Sequence, residues 1–313
     1  MKRTPRARSR SHWFSLLCLG CLAFGAPLSG ADAPAAAPKP VTPPDFATRR
    51  SNEVEPTRKV VYKIVGDRKL ELHIFEPKGH QASDRQACLL MIHGGGWTAG
   101  NPRQGTYVVP AYFAERGWVG MSLDYRLHKP KEGTTVFDAV KDARSAVRYV
   151  RSHATELGID PNRIVVAGRS AGGHLAAATA MCDGFDEAGE DTTVSCRPDA
   201  LALYSGVLDT SYPGPNHEPL GDRWKDLSPL HQVRPGLPPT IVFHGMKDPL
   251  VPFEGAKAFA EAMTRAGNRC EFVSHPIGAH SYVMRTAELF NDAMERTTVF
   301  LAQNGITVPV PTP

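Results

Sequence analysis

The sequence predicts an α/β fold, a mostly parallel, doubly wound sheet of eight strands with helices on both faces. Three observations carry that expectation. Short continuous apolar runs recur along the chain, as strands buried on both faces require. Stretches of helical periodicity fill the gaps between them. Such alternation of strand and helix builds a parallel sheet, here with an antiparallel start.

That start comes from residues 59–65 and 70–75, which flank Gly66-Asp67 and read as a hairpin, the second strand alternating apolar and polar residues. Apolar runs at 87–92, 119–123, 164–167, 200–204 and 240–243, with a strand-like stretch at 270–274, complete the eight. Helices are expected over 107–116, 134–157, 171–181, 253–266 and 282–303. In the second of these, Val136, Val140, Ala143, Val147 and Val150 recur at spacings of four and three. One stripe of that helix therefore faces the sheet.

The 313 residues, 42% hydrophobic and 22% charged, can bury a sizeable core and exclude a disordered, collagen-like or coiled-coil chain. Five of the positive charges (Lys2, Arg3, Arg6, Arg8, Arg10) lie in the first ten residues, and taking them from the formal +4 leaves about −1. No basic face is implied, so nucleic-acid binding has no compositional support. The apolar run at 13–25 after those charges, with small residues at Ser29 and Ala31 or at Ala31 and Ala33, predicts a cleaved signal peptide over 1–31. The run is too short to span a bilayer, so no stable membrane span is expected after cleavage and the product is secreted or periplasmic. An uncleaved N-terminal anchor, or acylation at Cys21, is the alternative.

Residues 32–58, rich in Ala and Pro, are expected to be an extended linker, residues 59–305 the catalytic domain, and residues 306–313 a flexible tail. Export leaves Cys88, Cys182, Cys196 and Cys270 in a compartment where disulfides persist. Cys182 and Cys196 bracket a polar, acidic stretch and are the expected bridge; Cys88 and Cys270 sit in apolar strand contexts and are expected to be free. No cysteine spacing resembles a zinc site, and no metal is expected.

In doubly wound sheets ligands bind at the carboxyl ends of the strands, and three of those positions carry chemistry. After 164–167 comes Gly168-Arg169-Ser170-Ala171-Gly172. Glycines on both sides of a serine at a strand-to-helix turn let it adopt a strained conformation with its hydroxyl exposed. After Ile92 comes His93-Gly94-Gly95-Gly96-Trp97, whose unobstructed amides can stabilise the oxyanion of acyl transfer. Gly95 and Gly96, with the amide of Ala171, are the expected donors. A phosphate cradle is the alternative, but no Lys-Ser or Lys-Thr closes the loop. After 240–243 runs His244-Gly245-Met246-Lys247-Asp248-Pro249, and after 270–274 comes Gly278-Ala279-His280-Ser281. The order Ser170, Asp248, His280 supplies nucleophile, orienting acid and base. His244 is the rival base, more plausibly packed against the loop that bears Asp248.

From about Val60 to Gln303 the chain resembles the α/β-hydrolase superfamily, in the branch of exported esterases with a His-Gly-Gly-Gly-Trp loop. It is similar to the bifunctional feruloyl and acetyl xylan esterases and to the hormone-sensitive-lipase-like carboxylesterases. Ser122-Leu123-Asp124-Tyr125-Arg126-Leu127, the Ser170 motif through Leu175, and the stretch His244 to Pro252 carry the match. The resemblance implies ester hydrolysis through an acyl-enzyme, on a small-molecule or polysaccharide-linked ester, with no metal or cofactor. Lipase-like relatives carry a helical cap where this chain has Pro-rich sequence, which favours an open cleft.

Asp124 and Arg126 are expected to pair with each other, and His174 to pack under the turn at Ser170. The segment 209–239 is expected to form a rim over the site. Trp97 and Trp224 are candidates to stack on an aromatic acyl group or a sugar, or else ordinary packing residues. A peptidase or arylformamidase-like amidase of the same fold, and a non-catalytic binding protein, are the other functional classes to be separated.

Overall fold

The computed structural model describes residues 45–307. The expected signal peptide, Cys21, the expected linker up to residue 44 and the expected tail from residue 308 lie outside them. The eight strands are β1 (Arg58–Val65), β2 (Arg68–Phe75), β3 (Gln86–Ile92), β4 (Val119–Leu123), β5 (Ile159–Arg169), β6 (Ala200–Tyr204), β7 (Thr240–Gly245) and β8 (Cys270–His275). The helices are α1 (Phe46–Glu53), α2 (Val108–Ala114), α3 (Val136–Ser152), α4 (Ala171–Met181), α5 (Phe253–Arg265) and α6 (Ala287–Gln303).

The strands lie in the order β1-β2-β4-β3-β5-β6-β7-β8. The β1–β2 and β2–β4 pairs are antiparallel; every pair from β4 to β8 is parallel. The chain leaves β3 for β4 on one side and returns as β5 on the other. The carboxyl ends of β3 and β5 therefore diverge at a topological switch point, where open sheets form their binding crevice.

Residues of the inner strands point alternately into two apolar layers. Leu90, Ile92, Val166 and Leu203 pack with α3 and α4 in one layer, and Leu89, Met91, Val165 and Phe243 pack with α2 and α6 in the other. All five positions of the expected α3 stripe are fully buried. α4 is apolar all round and every residue of it is buried, as expected of a central helix with no solvent face.

Four expectations are corrected. Residues 46–53 are a helix rather than part of a linker: the Thr48 amide donates to Asp45 Oδ1 at 2.8 Å, capping α1, and the Phe46 ring packs on Phe290 of α6 at 5.4 Å. At the other end Ile306 is buried, with its amide bonded to Leu301 O, so the domain extends past 305. Cys182 and Cys196 are both free and buried, and Cys196 Sγ donates to Thr179 O instead of bridging. Asp124 and Arg126 do not pair: Asp124 meets Arg68, while Arg126 forks onto Asp142 and reaches Glu187.

Candidate active site

Ser170 sits between β5 and α4 at φ +55°, ψ −123°, a conformation that is costly for a residue with a Cβ. The surrounding backbone imposes it. A Cβ at Gly168 would lie 2.1 Å from Gly172 O, and one at Gly172 would lie 2.1 Å from Ile92 O. Only glycine permits the end of β3, the turn and the first turn of α4 to approach this closely. The Ser170 amide donates to Tyr204 O on β6 at 3.0 Å, fixing the turn to the sheet.

The loop after β3 reverses sharply, with Gly95, Gly96 and Trp97 all at positive φ. Gly95 O accepts from the Thr98 and Ala99 amides, but the amides of Gly95 and Gly96 themselves donate to no described residue. Ala171, as the first residue of α4, has an amide with no intrahelical acceptor. Three backbone donors are thus left available beside the serine, at the positive end of a helix dipole.

Trp97 anchors this loop. It is fully buried and donates through Nε1 to His174 Nδ1 at 3.3 Å, while His174 Nε2 donates to Leu227 O at 2.7 Å. Burial holds the His174 pKa down at about 4, so its imidazole is neutral and its tautomer is set by these two bonds. The expected packing of His174 under the turn is observed. The expected stacking of Trp97 on substrate is not, since no part of it reaches solvent. Trp224 packs between His217 and His231 and does not line the cleft at Ser170. The segment 209–239 contributes no residue to that cleft; it braces the neighbouring loop, Asn216 Nδ2 donating to Leu250 O at 2.8 Å.

Asp248 and His280 arrive on the loops after β7 and β8. Those loops are stitched together by Met246 N to His275 O and Lys247 N to Gly278 O, each 2.9 Å. Asp248 Oδ2 accepts from His280 Nδ1 at 2.7 Å, and Oδ1 accepts from the Leu250 and Val251 amides at 2.9 Å each. Burial acts to raise the Asp248 pKa, but the bonds from His280 and these amides outweigh it and hold the carboxyl below its ordinary value. The bond fixes His280 as the Nδ1–H tautomer and leaves Nε2 with no protein partner among the described residues. His244, the rival, is buried and donates through Nε2 to Val251 O, in the packing role expected of it.

Ser170, His280, Gly95 and Gly96 line one cleft of about 750 Å³. A hydroxyl, an imidazole oriented by a carboxylate, and free amides in one cleft can perform acyl transfer. Four charged residues of the cleft were not singled out from the sequence: Asp45, Arg49, Arg169 and Arg285. Arg169 was in view as the variable position of the serine motif, and Asp45 carries the helix-start signal of an acidic residue before a run of helix formers. Ser205 was also missed. It is buried at the end of β6 at φ +47°, and its Oγ accepts from the Ser281 amide, fixing the loop that carries His280.

A family model described as BD-FAE matches residues 72–211. The probable carboxylic ester hydrolase LipM of Mycobacterium tuberculosis is 30% identical over 62% of this chain and 49% of its own length. Carboxylesterase NlhH of the same organism is 31% identical over 64% of this chain and 67% of its own. The chain spans about half the length of LipM and of esterase LipQ, which it also matches. Among solved structures, the apo form of Thermogutta terrifontis esterase 2 is 41% identical, with a TM-score of 0.75 over 81% of this chain and 96% of that one. Forms of that esterase phosphorylated by paraoxon and bound to propionate match to the same extent.

Proposed function

The chain belongs to the α/β-hydrolase esterases, and on that premise we propose that it is a serine carboxylesterase hydrolysing short-chain or aryl esters through an acyl-enzyme. One observation carries the reading: His280, held by the covered carboxylate of Asp248, shares a cleft with a strained serine and unbonded backbone amides.

Ser170 Oγ attacks the ester carbonyl as His280 Nε2 takes its proton. Asp248 holds the imidazole tautomer and stabilises the imidazolium. The carbonyl oxygen becomes an oxyanion, and the amides of Gly95, Gly96 and Ala171 are its donors. Collapse expels the alcohol, protonated by His280, and water then repeats the sequence on the acyl-enzyme.

Propionate- and butyrate-bound forms of Thermogutta terrifontis esterase 2 support a short acyl group. The BD-FAE match supports acetyl or feruloyl groups on plant polysaccharide, and a cleft with no covering domain among the described residues suits an acyl group hanging from a polymer. Export is part of the same proposal and rests on the basic and apolar N-terminal pattern; N-terminal sequencing of the mature protein tests it.

The decisive experiment is Ser170→Ala. We expect hydrolysis of p-nitrophenyl acetate and labelling by a fluorophosphonate probe to be abolished together, with the fold intact. Unchanged turnover overturns the assignment, and a wild-type protein that does not label is a binding protein. Comparing p-nitrophenyl acetate, longer acyl esters, methyl ferulate and acetylated xylan fixes the substrate.

A further inference from the structure

Among the described residues that line the cleft are the guanidinium groups of Arg169 and Arg285 and one carboxylate, Asp45, whose Oδ1 already caps α1 through the Thr48 amide. Arg169 is the informative one. It directly precedes Ser170, and a Cβ at Gly105 would lie 3.3 Å from both its Nη1 and Thr48 Oγ1. Its side chain therefore runs from the serine turn towards α1, along the wall of the cleft.

The buried arginines among the described residues are all paired. Arg126 meets Asp142 at 2.7 Å, Arg144 meets Asp186 at 2.8 Å, and Arg148 meets Asp186 at 2.5 Å. The Arg169 side chain makes no hydrogen bond and no ion pair with any described residue; burial pulls its pKa below the usual guanidinium value, and the nearby charge of Asp45 offsets this only in part. A partly buried cation with no hydrogen-bonded counter-ion is costly, and proteins keep such groups where a ligand completes them. A guanidinium is also the side chain best shaped to grip a carboxylate with two parallel bonds.

We propose that Arg169, with Arg285 lining the same cleft, forms an anion subsite next to Ser170, and that the preferred substrates are esters bearing a carboxylate close to the scissile bond. Half-esters of dicarboxylic acids, or esters of acid-bearing sugars, have that chemistry. The inference rests on the esterase reading and names the substrate class for the same site.

The test uses two matched pairs. One is 4-acetoxybenzoate and its methyl ester, with the charge on the alcohol side. The other is mono-4-nitrophenyl adipate and its methyl ester, with the charge on the acyl side. For each pair the ratio of kcat/KM, anionic over neutral, is divided by the same ratio for hydroxide-catalysed hydrolysis. The wild-type value should reach at least tenfold in one pair, about 1.4 kcal/mol, and fall towards one in 0.5 M NaCl. Arg169→Gln should lower it to about one, and Arg169→Lys should retain part of it. If Arg169→Gln no longer labels with fluorophosphonate, Arg285→Gln and the salt series decide, each expected to lower the preference. A wild-type value of one or less in both pairs, or a preference insensitive to salt or to both arginine substitutions, overturns the subsite. The neutral esters are then still hydrolysed and the esterase reading stands. If none of the four esters is turned over and Ser170 does not label, the esterase reading itself fails and the subsite with it.

Discussion

Gly95→Ala tests the assignment of the backbone donors most directly. Gly95 holds φ at +120°, a region that residues with a Cβ rarely enter, and an added Cβ would lie 2.1 Å from Ala99 O and 2.7 Å from Ala99 C. The strain alone costs about 1–3 kcal/mol. The overlap is with backbone, so it cannot be relieved by rotating a side chain, and the turn must open by roughly 1 Å to reach a tolerable contact. An oxyanion donor acts over a narrow range near 3 Å, so a shift of that size removes its contribution, about 3–4 kcal/mol or 10²–10³ in kcat. Steady-state hydrolysis of p-nitrophenyl acetate should show kcat reduced by that factor with KM changed only a few-fold, and far-UV circular dichroism unchanged. Gly66→Ala is the control: it also has positive φ, at +57°, but a Cβ there meets nothing within 4 Å. It should cost stability without touching kcat. A folded Gly95→Ala enzyme with kcat within threefold of wild type would refute the donor assignment.

Other expectations concern stability, the loop anchor and the thiols. His93 and His174 are buried with folded pKa values of about 4 against an ordinary 6.5, so between those pH values the unfolded chain binds protons that the native state refuses. Stability must fall as pH falls through that window, by about 2 kcal/mol per histidine between pH 7 and 5; identical denaturant midpoints at the two pH values would contradict this. Trp97→Phe removes the Nε1–H donor and strands His174 Nδ1, costing about 1–3 kcal/mol in thermal or chemical denaturation. It should also lower kcat more than it raises KM, because Trp97 positions the Gly95–Gly96 loop; a change confined to KM would restore it as a substrate contact. A non-reducing peptide map should find Cys182 and Cys196 in separate peptides, and a linked pair would contradict the free thiols.

What was legible in the sequence follows the range over which each signal acts. All eight strands and the helix register of α3 could be read, because burial on both faces or along one stripe writes a local pattern. The three chemical loops were legible because glycine is demanded where backbones nearly touch, and Gly168, Gly172 and Gly95 advertise that demand. α1 was obscured by its setting: eight residues beside a proline-rich stretch, announced only by Asp45. The partners of Arg126 were not legible, since Glu187 is 61 residues away and no local pattern links them. The role of Trp97 failed for the same reason, as its partner His174 lies 77 residues on. The expected bridge between Cys182 and Cys196 relied on sequence spacing and compartment, neither of which fixes the directions of two Cβ–Sγ bonds.

The docking of α1 has an evolutionary corollary. Phe46 N bonds to Arg285 O, and both Asp45 and Arg285 form part of the cleft wall, so the recognition surface is assembled where the leading segment meets the far end of the chain. Ser170, Asp248 and His280 follow strand ends, whereas Asp45 and Arg49 reach the cleft with α1. Exchanging the short leading helix between homologues therefore offers a way to reshape one wall of the cleft while the reacting groups are inherited intact.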